Sequence, residues 1–511
     1  ALVMTMSLVT VSAGAKDFSD DGSITYKEAV DVISGIGVVD GYSGGDFKPT
    51  EVLTRGAAAK IICNLILGPT TASALSASSA PFKDVPVSNT FAGYITYCAQ
   101  EGIINGYSDG TFRPTATLSG NAFMKMLLGA LGYDSTVEGF TGSNWTVNVA
   151  RLAIENGLTD GNDDFVGTRP ATREEACLYA VNALQATLVE YADKGSSITI
   201  NGAEIVTGAS EPTYVTSSVY NAASSISADR DNEGMYTVEF AERYQPDLAM
   251  DRDTDDFGRP SYTWSWKNRD IGTYVDYSLM VAEYTTGVTG RELYNVLTAS
   301  TIRNADLEVY VDGHEASGDE IIEKSYMTRS HEDDVGATDN GVLTQVFVDT
   351  DANDGDGLIT IASINTYLAQ ATSSYSESKE TVTLKVYEDD SDGTTKTVDV
   401  DKVANITGIE KDDYVLVNMS DKDSRNLEVV AVITEPEILT DATVTKFSKD
   451  DGDKAIDSLT TDGTKYDSAA KAFYDDDTLD DYDESLLTDM TYNVYLDQYG
   501  YVLSLIHICR C

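Results

Sequence analysis

The chain runs to 511 residues with 42% hydrophobic composition, enough to bury several cores and too long for a single small domain. Its 35 Lys and Arg stand against 84 Asp and Glu, a formal net charge of -49. This excludes nucleic acid as a partner, because phosphate binding is driven by clustered cations that release counterions, and it argues equally against anionic membranes.

The first fifteen residues, ALVMTMSLVTVSAGA, are uncharged, apolar and end in the small residues Ala13, Gly14 and Ala15. They read as the back half of a secretory signal peptide, with the reading frame starting upstream. The run is short of the roughly 20 residues that a spanning helix needs. From residue 16 to residue 190 there are 11 basic and 20 acidic residues, so most of the negative charge lies beyond residue 190.

One unit recurs three times in this stretch. An amphipathic segment ends at GVVDGY (37–42), GIINGY (102–107) and GLTDGN (157–162); a turn and a Phe follow; seven residues after that Phe a second helix begins. The pairs are Phe47 with Thr54, Phe112 with Ser119 and Phe165 with Thr172. Gly37, Gly102 and Gly157 fall where a helix ends in a residue at positive φ. Thr54, Ser119 and Thr172 are N-cap types, and Glu175 completes a capping box with Thr172. Apolar faces follow at helical spacing, such as Ala58, Ile61, Ile62 and Leu65. One helix pair of this size cannot bury both faces, so the copies must pack together. The repeats are bounded at 16–68, 82–133 and 134–190, with an Ala- and Ser-rich linker at 69–81. Cys63, Cys98 and Cys177 sit in apolar helical stretches as small hydrophobes, with no disulfide framework.

These residues resemble the S-layer homology (SLH) domain, whose pattern runs from an aromatic and Asp through a Gly-Tyr-x-Asp-Gly-x-Phe-x-Pro turn to Thr-Arg-Ala-Glu. The second copy carries Phe82, Asp84, Gly106, Tyr107, Asp109, Gly110, Phe112 and Pro114. The first carries Gly41, Tyr42, Gly45, Phe47, Pro49, Thr54 and Arg55; the third carries Thr172, Arg173, Glu174 and Glu175 with a shortened turn. The resemblance covers about a third of the chain. It implies an all-α assembly of three repeats that binds a secondary cell-wall polymer with pyruvylated sugars in clefts between repeats. A ketal-linked pyruvate is a carboxylate, which suits the N–H groups of a helix start and the cations of Arg55 and Arg173 beside the caps Thr54 and Thr172. The alternative for each Arg is a surface ion pair. The middle copy has Ser119-Gly120-Asn121 in place of Thr-Arg-Ala, which leaves two competent anion sites. Tyr42 and Tyr107 are either platforms for a sugar ring or core aromatics. Gly41, Gly106, Asp109 and Gly110 are assigned to turn geometry.

Beyond residue 190 the texture becomes short alternating strands such as LEVYVDG from Leu307, TVTLKVYE from Thr381 and YVLVNM from Tyr414. The reading is an acidic β-rich region over 191–380 and further β modules over 381–502, sandwich-like in architecture. DTDANDGDG places Asp349, Asp351 and Asn353 at the spacing of a calcium loop, yet lacks its Gly and closing Glu, so a β-hairpin turn is preferred. Calcium is otherwise entertained at Asp251–Asp256. LSLIHICRC, residues 503–511, breaks the composition and resembles a translated sequencing adapter, so it is set aside as a non-native tail. No nucleophile elbow, zinc helix or phosphate loop is present. The expectation is a secreted, wall-anchored S-layer or envelope protein without a cofactor and without enzymatic activity, which self-associates into a lattice. The competing class is a glycan-active enzyme or an adhesin anchored by the same repeats.

Overall fold

A computed structural model describes residues 16, 18–200, 203–218, 235–388, 393–400, 402–403, 405–422, 426–449, 456–474, 479–480, 485–486, 488 and 490–507. The signal-like segment, the acidic loop 389–392 and Cys509 and Cys511 lie outside the described residues. The chain forms two compact units, one built from 13–251 with 263–272 and the other from 252–262 with 273–511.

The first unit contains the repeats. Its helices are α1 (Lys27–Gly35), α2 (Arg55–Leu67), α3 (Pro69–Ser73), α4 (Ala92–Gln100), α5 (Gly120–Leu131), α6 (Trp145–Glu155) and α7 (Arg173–Gln185). The three long second helices start where a hydroxyl can accept from the third amide: Thr54 from Ala57, Ser119 from Ala122 and Thr172 from Glu175. The first helices end at Gly37, Gly102 and Gly157, all at positive φ, 78°, 75° and 66°.

The helices pair between copies. α1 packs on α7, α2 on α4 and α5 on α6. Each first helix therefore docks on the second helix of the preceding copy, and the last second helix closes back onto α1. The copies are also knit through backbone at the ring's centre. Leu53 donates its N–H to Ala171 O, Ala171 to Leu118 O and Leu118 to Leu53 O, at 2.8, 2.9 and 2.9 Å. All three side chains are buried. Removing any one copy breaks two of these three bonds.

This unit is not all-α. Extended residues bridge the copies as isolated β pairs, Val52 with Thr172, Thr54 with Thr117 and Ser119 with Pro170. Short strands follow α7: Val189–Glu190 pairs with Thr213–Tyr214, and Ser196–Ile200 with Ala203–Thr207. A further helix, α8 (Phe240–Tyr244), returns to the repeats, where Gln245 Nε2 donates to the carbonyls of Asn64 and Leu65 at 3.2 and 2.8 Å. Buried Trp264 donates Nε1–H to Glu28 at 2.8 Å, and Ile271 packs within 3.1–3.3 Å of where a Cβ on Gly35 would sit. Over the molecule strand exceeds helix, 32% against 23%. The expectation of an all-α repeat assembly is thereby corrected: helical periodicity marks the helices but carries no signal for isolated bridges, which depend on where the copies meet.

The second unit corrects the sandwich expectation as well. One five-stranded sheet runs Met280–Tyr284, Leu343–Asp349, Leu358–Ile364, Asp306–Val311, His314–Glu315, with a parallel pairing between the third and fourth. Helices α9 (Gly290–Val296) and α10 (Ala299–Asn304) contribute Leu293 and Ile302 to its core, and Leu297 between them adds to it. A second sheet is antiparallel throughout, in the order Thr394–Asp399, Thr381–Val386, Tyr367–Ala371, Tyr414–Ser420, Glu428–Thr434. Five further strands close a barrel: Glu437–Ser448, Ser458–Thr461, Thr464–Phe473, Val502–His507, Thr491–Leu496. The twelve-residue strand Glu437–Ser448 pairs through residues 437–443 with Thr491–Leu496 and through residues 444–448 with Ser458–Thr461. Alternation of apolar residues is common to sandwich and barrel; closure is set by that long-range pairing. The run set aside as a tail supplies the barrel strand Val502–His507, with Val502, Leu503 and Leu505 buried.

Candidate functional site

The candidate site forms where the second helix of one copy meets the turn of the next. Arg55, the first residue of α2, reaches into the second copy's turn, donating Nε–H to Phe112 O at 2.7 Å and Nη2–H to Asn105 O at 3.2 Å. Its guanidinium lies 5.1 Å from the centre of the Tyr107 ring and 4.3 Å from that of Phe112. Arg173, at the start of α7, repeats the arrangement on the first copy. It donates to Phe47 O and Asp40 O at 2.9 Å each, and lies 4.9 Å from Tyr42 and 4.6 Å from Phe47. Neither Arg is engaged in an ion pair among the described residues; backbone carbonyls and ring faces hold both.

Tyr42 and Tyr107 are each flanked by a second cation, Lys48 at 4.3 Å and Arg113 at 4.1 Å. Both are part-exposed, at 39% and 42%, which separates them from core aromatics. Phe47 and Phe112 are the buried ones.

Turn geometry is divided among several residues. Gly110 lies at φ 83°, which only Gly adopts without strain. Gly41 and Gly106 are required for a different reason, close approach: a Cβ on Gly106 would sit 2.4 Å from the Phe82 ring, and one on Gly41 2.7 Å from Phe18. The Asp109 carboxylate accepts from Thr111 N and Oγ1 and from Arg113, and these bonds hold its pKa down at about 2. Sequence reasoning passed over a clamp behind these turns. Asp84 accepts the amides of Phe112 and Arg113 at 2.7 Å each, and Asp20 those of Phe47 and Lys48 at 2.7 and 2.8 Å. The second amide of each pair belongs to a non-Gly residue in the left-handed region, Arg113 at φ 60° and Lys48 at φ 59°. Two charge-assisted bonds per carboxylate hold that conformation.

The expectation that the helix starts offer unpaired amides to an anion is not met. The N–H groups of Arg55 and Gly56 are taken by Ala116 O and Pro114 O, those of Gly120 and Asn121 by Arg169 O and Gly167 O, and those of Arg173 and Glu174 by Glu51 O and Pro49 O. The third amide of each helix is capped by Thr54, Ser119 or Thr172. The neighbouring copy occupies these donors, so the side chains have to supply the positive charge.

They do so in a cavity of about 440 Å³ lined by Arg55, Tyr107, Lys125, Phe140 and Trp145 among others. Lys125, two turns into α5, donates to Phe140 O at 2.8 Å, with Trp145 6.0 Å away. Burial, and then the charge of Arg55, lowers the Lys125 pKa; burial likewise lowers that of Arg55. Two cations thus face one space in a chain of net charge -49. The middle copy, which lacks Arg at its helix start, contributes its cation here from the sixth position after the cap. Gly120 itself is packed against Phe165, 2.9 Å from where a Cβ would be. The sequence signal for Lys125 was its offset from Ser119, which the motif does not include; the same count from Thr54 reaches Lys60.

Several side chains of the acidic clusters bond the protein's own groups. Asp349 accepts from the amides of Asp351 and Ala352, and Asn353 donates to Asp306, in the turn between two paired strands. Asp255 accepts from Phe257 N, Arg259 N and Arg259 Nε. Among the described residues, no group of three or more His, Cys, Asp or Glu is placed to hold a metal ion.

The S-layer homology domain family matches residues 17–59 and 81–120. The chain carries S-layer homology domains. Surface layer protein of Brevibacillus choshinensis is 25% identical over 202 residues, 39% of this chain and 17% of that protein. Middle cell wall protein of Brevibacillus brevis is 26% identical over 172 residues, 34% and 16%. Cellulosome-anchoring protein of Acetivibrio thermocellus reaches 42% over 79 residues, 16% and 17%. The chain spans about a sixth of the length of these curated relatives. With these repeats it is a secreted cell-surface protein of the SLH kind; no helix among the described residues is long and apolar enough to cross a membrane.

Proposed function

We propose that the repeats anchor the protein non-covalently to a secondary cell-wall polymer by seating a carboxylate-bearing, pyruvylated sugar in the cleft of Arg55 and Lys125. One observation carries this reading: two partly desolvated cations, Arg55 and Lys125, line one cavity with Tyr107 and Trp145. Such a site suits an anion joined to a ring that stacks on aromatics. Among the described residues Arg55 Nη1 donates to nothing, and its other two nitrogens fix the guanidinium plane against carbonyls, so an incoming carboxylate meets a pre-oriented donor. Arg173 with Tyr42 forms the second site of the same kind. Relatives named as surface, wall and anchoring proteins support a surface or envelope subunit that assembles into a lattice, and one named as an endoglucanase supports the competing reading of an enzyme anchored by the same repeats.

The whole chain is expected to pellet with purified cell walls and to stay in solution once pyruvyl groups are stripped from the walls. Arg55→Ala and Lys125→Ala each remove a charge-assisted contact of about 1.5–3 kcal/mol, a weakening of roughly ten- to hundredfold. Undiminished pelleting on stripped walls, or by a variant that combines Arg55→Ala and Lys125→Ala with Arg173→Ala, overturns the reading.

A further inference from the structure

Beside the Arg55 cleft lies a second cavity of about 390 Å³, and Ile103, Asn105 and Thr141 line both. The loop after α4 therefore stands between two adjacent cavities, a near one with Arg55 and a far one. We propose that the far cavity is a subsite for the next, uncharged sugar of the same wall polymer, so that the two cavities together read at least two consecutive residues; this rests on the anchoring function proposed above.

The chemistry of the two compartments differs in the way this requires. The near one presents two cations. The far one presents Glu101, Asp134 and Lys194, with Lys194 paired to Asp134 at 3.3 Å, so it does not favour a second anion. Its lining also includes Tyr97, Tyr133, Tyr244, Thr136 and Thr141, with the Tyr133 hydroxyl donating to Asn156 at 3.1 Å. Ser135, also in its wall, has a buried Oγ without a hydrogen-bond partner among the described residues. An unpaired buried hydroxyl is costly unless something fills its valence. A neutral, hydroxyl-rich ring supplies donors and acceptors to these groups and an apolar face to the tyrosines.

Two of the lining residues come from beyond the repeats. Lys194 follows α7, and Tyr244 ends α8, which is held in place by the Gln245 bonds to Asn64 and Leu65. The segment after the repeats would thus contribute to choosing the polymer, and the length of glycan recognised would exceed a single terminal sugar.

The test is calorimetric titration of the whole chain with a methyl glycoside bearing ketal-linked pyruvate, and with oligosaccharides released from purified walls that end in the same pyruvylated sugar. The oligosaccharide is expected to bind about tenfold tighter. Lys194→Ala and Tyr244→Ala should bring its affinity down to that of the glycoside and leave the glycoside unchanged, whereas Arg55→Ala should weaken both. Lys194 is exposed, so its variant remains informative even where Tyr244→Ala lowers thermal stability. Equal affinity of the two ligands for the native chain, or equal losses for both in the Lys194 and Tyr244 variants, overturns the subsite while leaving the anion cleft intact. Failure of the native chain to bind the glycoside at all overturns the anchoring reading, and the subsite with it.

Discussion

Asp84 and Asp20 show how much of the cleft rests on residues that never face it. Burial pulls each carboxyl's pKa up, but the amide bonds from Phe112 and Arg113, or from Phe47 and Lys48, pull further, and both end below their ordinary value of 3.8. A depressed folded pKa means the contribution is fully present above the unfolded value and is lost as pH falls through the folded one. The native chain should therefore lose thermal stability as pH drops below about 4. Asp84→Asn should lower Tm at pH 7 and close the gap with the native chain in acid, because the native carboxylate is then protonated too. Melting curves between pH 2.5 and 7, on the order of the range over which carboxylates titrate, check this. A gap that stays constant across that range removes the clamp from the account. Gly106 illustrates a different lesson at this scale. The sequence marks it as a turn glycine, and the structure assigns it to the face of Phe82, where no Cβ fits.

Among the elements, the paired helices of the repeats were legible, whereas α3, inside the stretch read as a linker, and α8, α9 and α10, in the stretch read as strands, were not. Thr54, Ser119 and Thr172 are the caps that composition singled out, and the glycines that stop the first helices take the positive φ their positions demand. Strands such as Asp306–Val311, Thr381–Val386 and Tyr414–Ser420 were visible as alternation. Their partners were not, since a period of two fixes which side chains share a face and leaves open which strand lies alongside. The segment 252–262 makes the point with charge. Arg259 and Asp255 are both fully buried, joined through Nη2 at 2.5 Å, with Arg259 Nη1 reaching Gln345 at 3.2 Å. In sequence, Asp251–Asp256 is a stretch at which calcium is entertained, and Asp255 belongs to it. Arg259→Met should strand the Asp255 carboxylate inside the protein and cost roughly 3–5 kcal/mol, read as a fall in the denaturant midpoint. A loss below about 1 kcal/mol, the range of an exposed ion pair, refutes that role.

At the scale of the molecule, the repeats do not end where their motif ends. Leu188 N–H bonds Val238 O, Phe240 N–H bonds Ala186 O, and Trp264 and Ile271 cover α1, so a fragment stopping at residue 190 loses part of its core. A fragment of residues 16–190 is expected to melt well below one of residues 16–272. Burial of Phe240, Trp264 and Ile271 is each worth about 1.5–3 kcal/mol by transfer. Equal melting temperatures show that the later segment is an ornament. The second cavity draws on the same arrangement, because Lys194 and Tyr244 line it only when that segment returns to the helices.

Sequence alone determined the repeat, its caps, its stops and the arginines that open its second helices, because each of these is a local preference of backbone or side chain expressed within about ten residues. Only the tertiary structure decided that the helices pair across copies, that backbone carbonyls consume the amides expected to meet a ligand, and that Lys125 and Trp145 share a cavity with Arg55. Those outcomes depend on contacts between residues far apart in the chain, and a pattern of one-dimensional spacing does not specify which neighbour will satisfy a given donor.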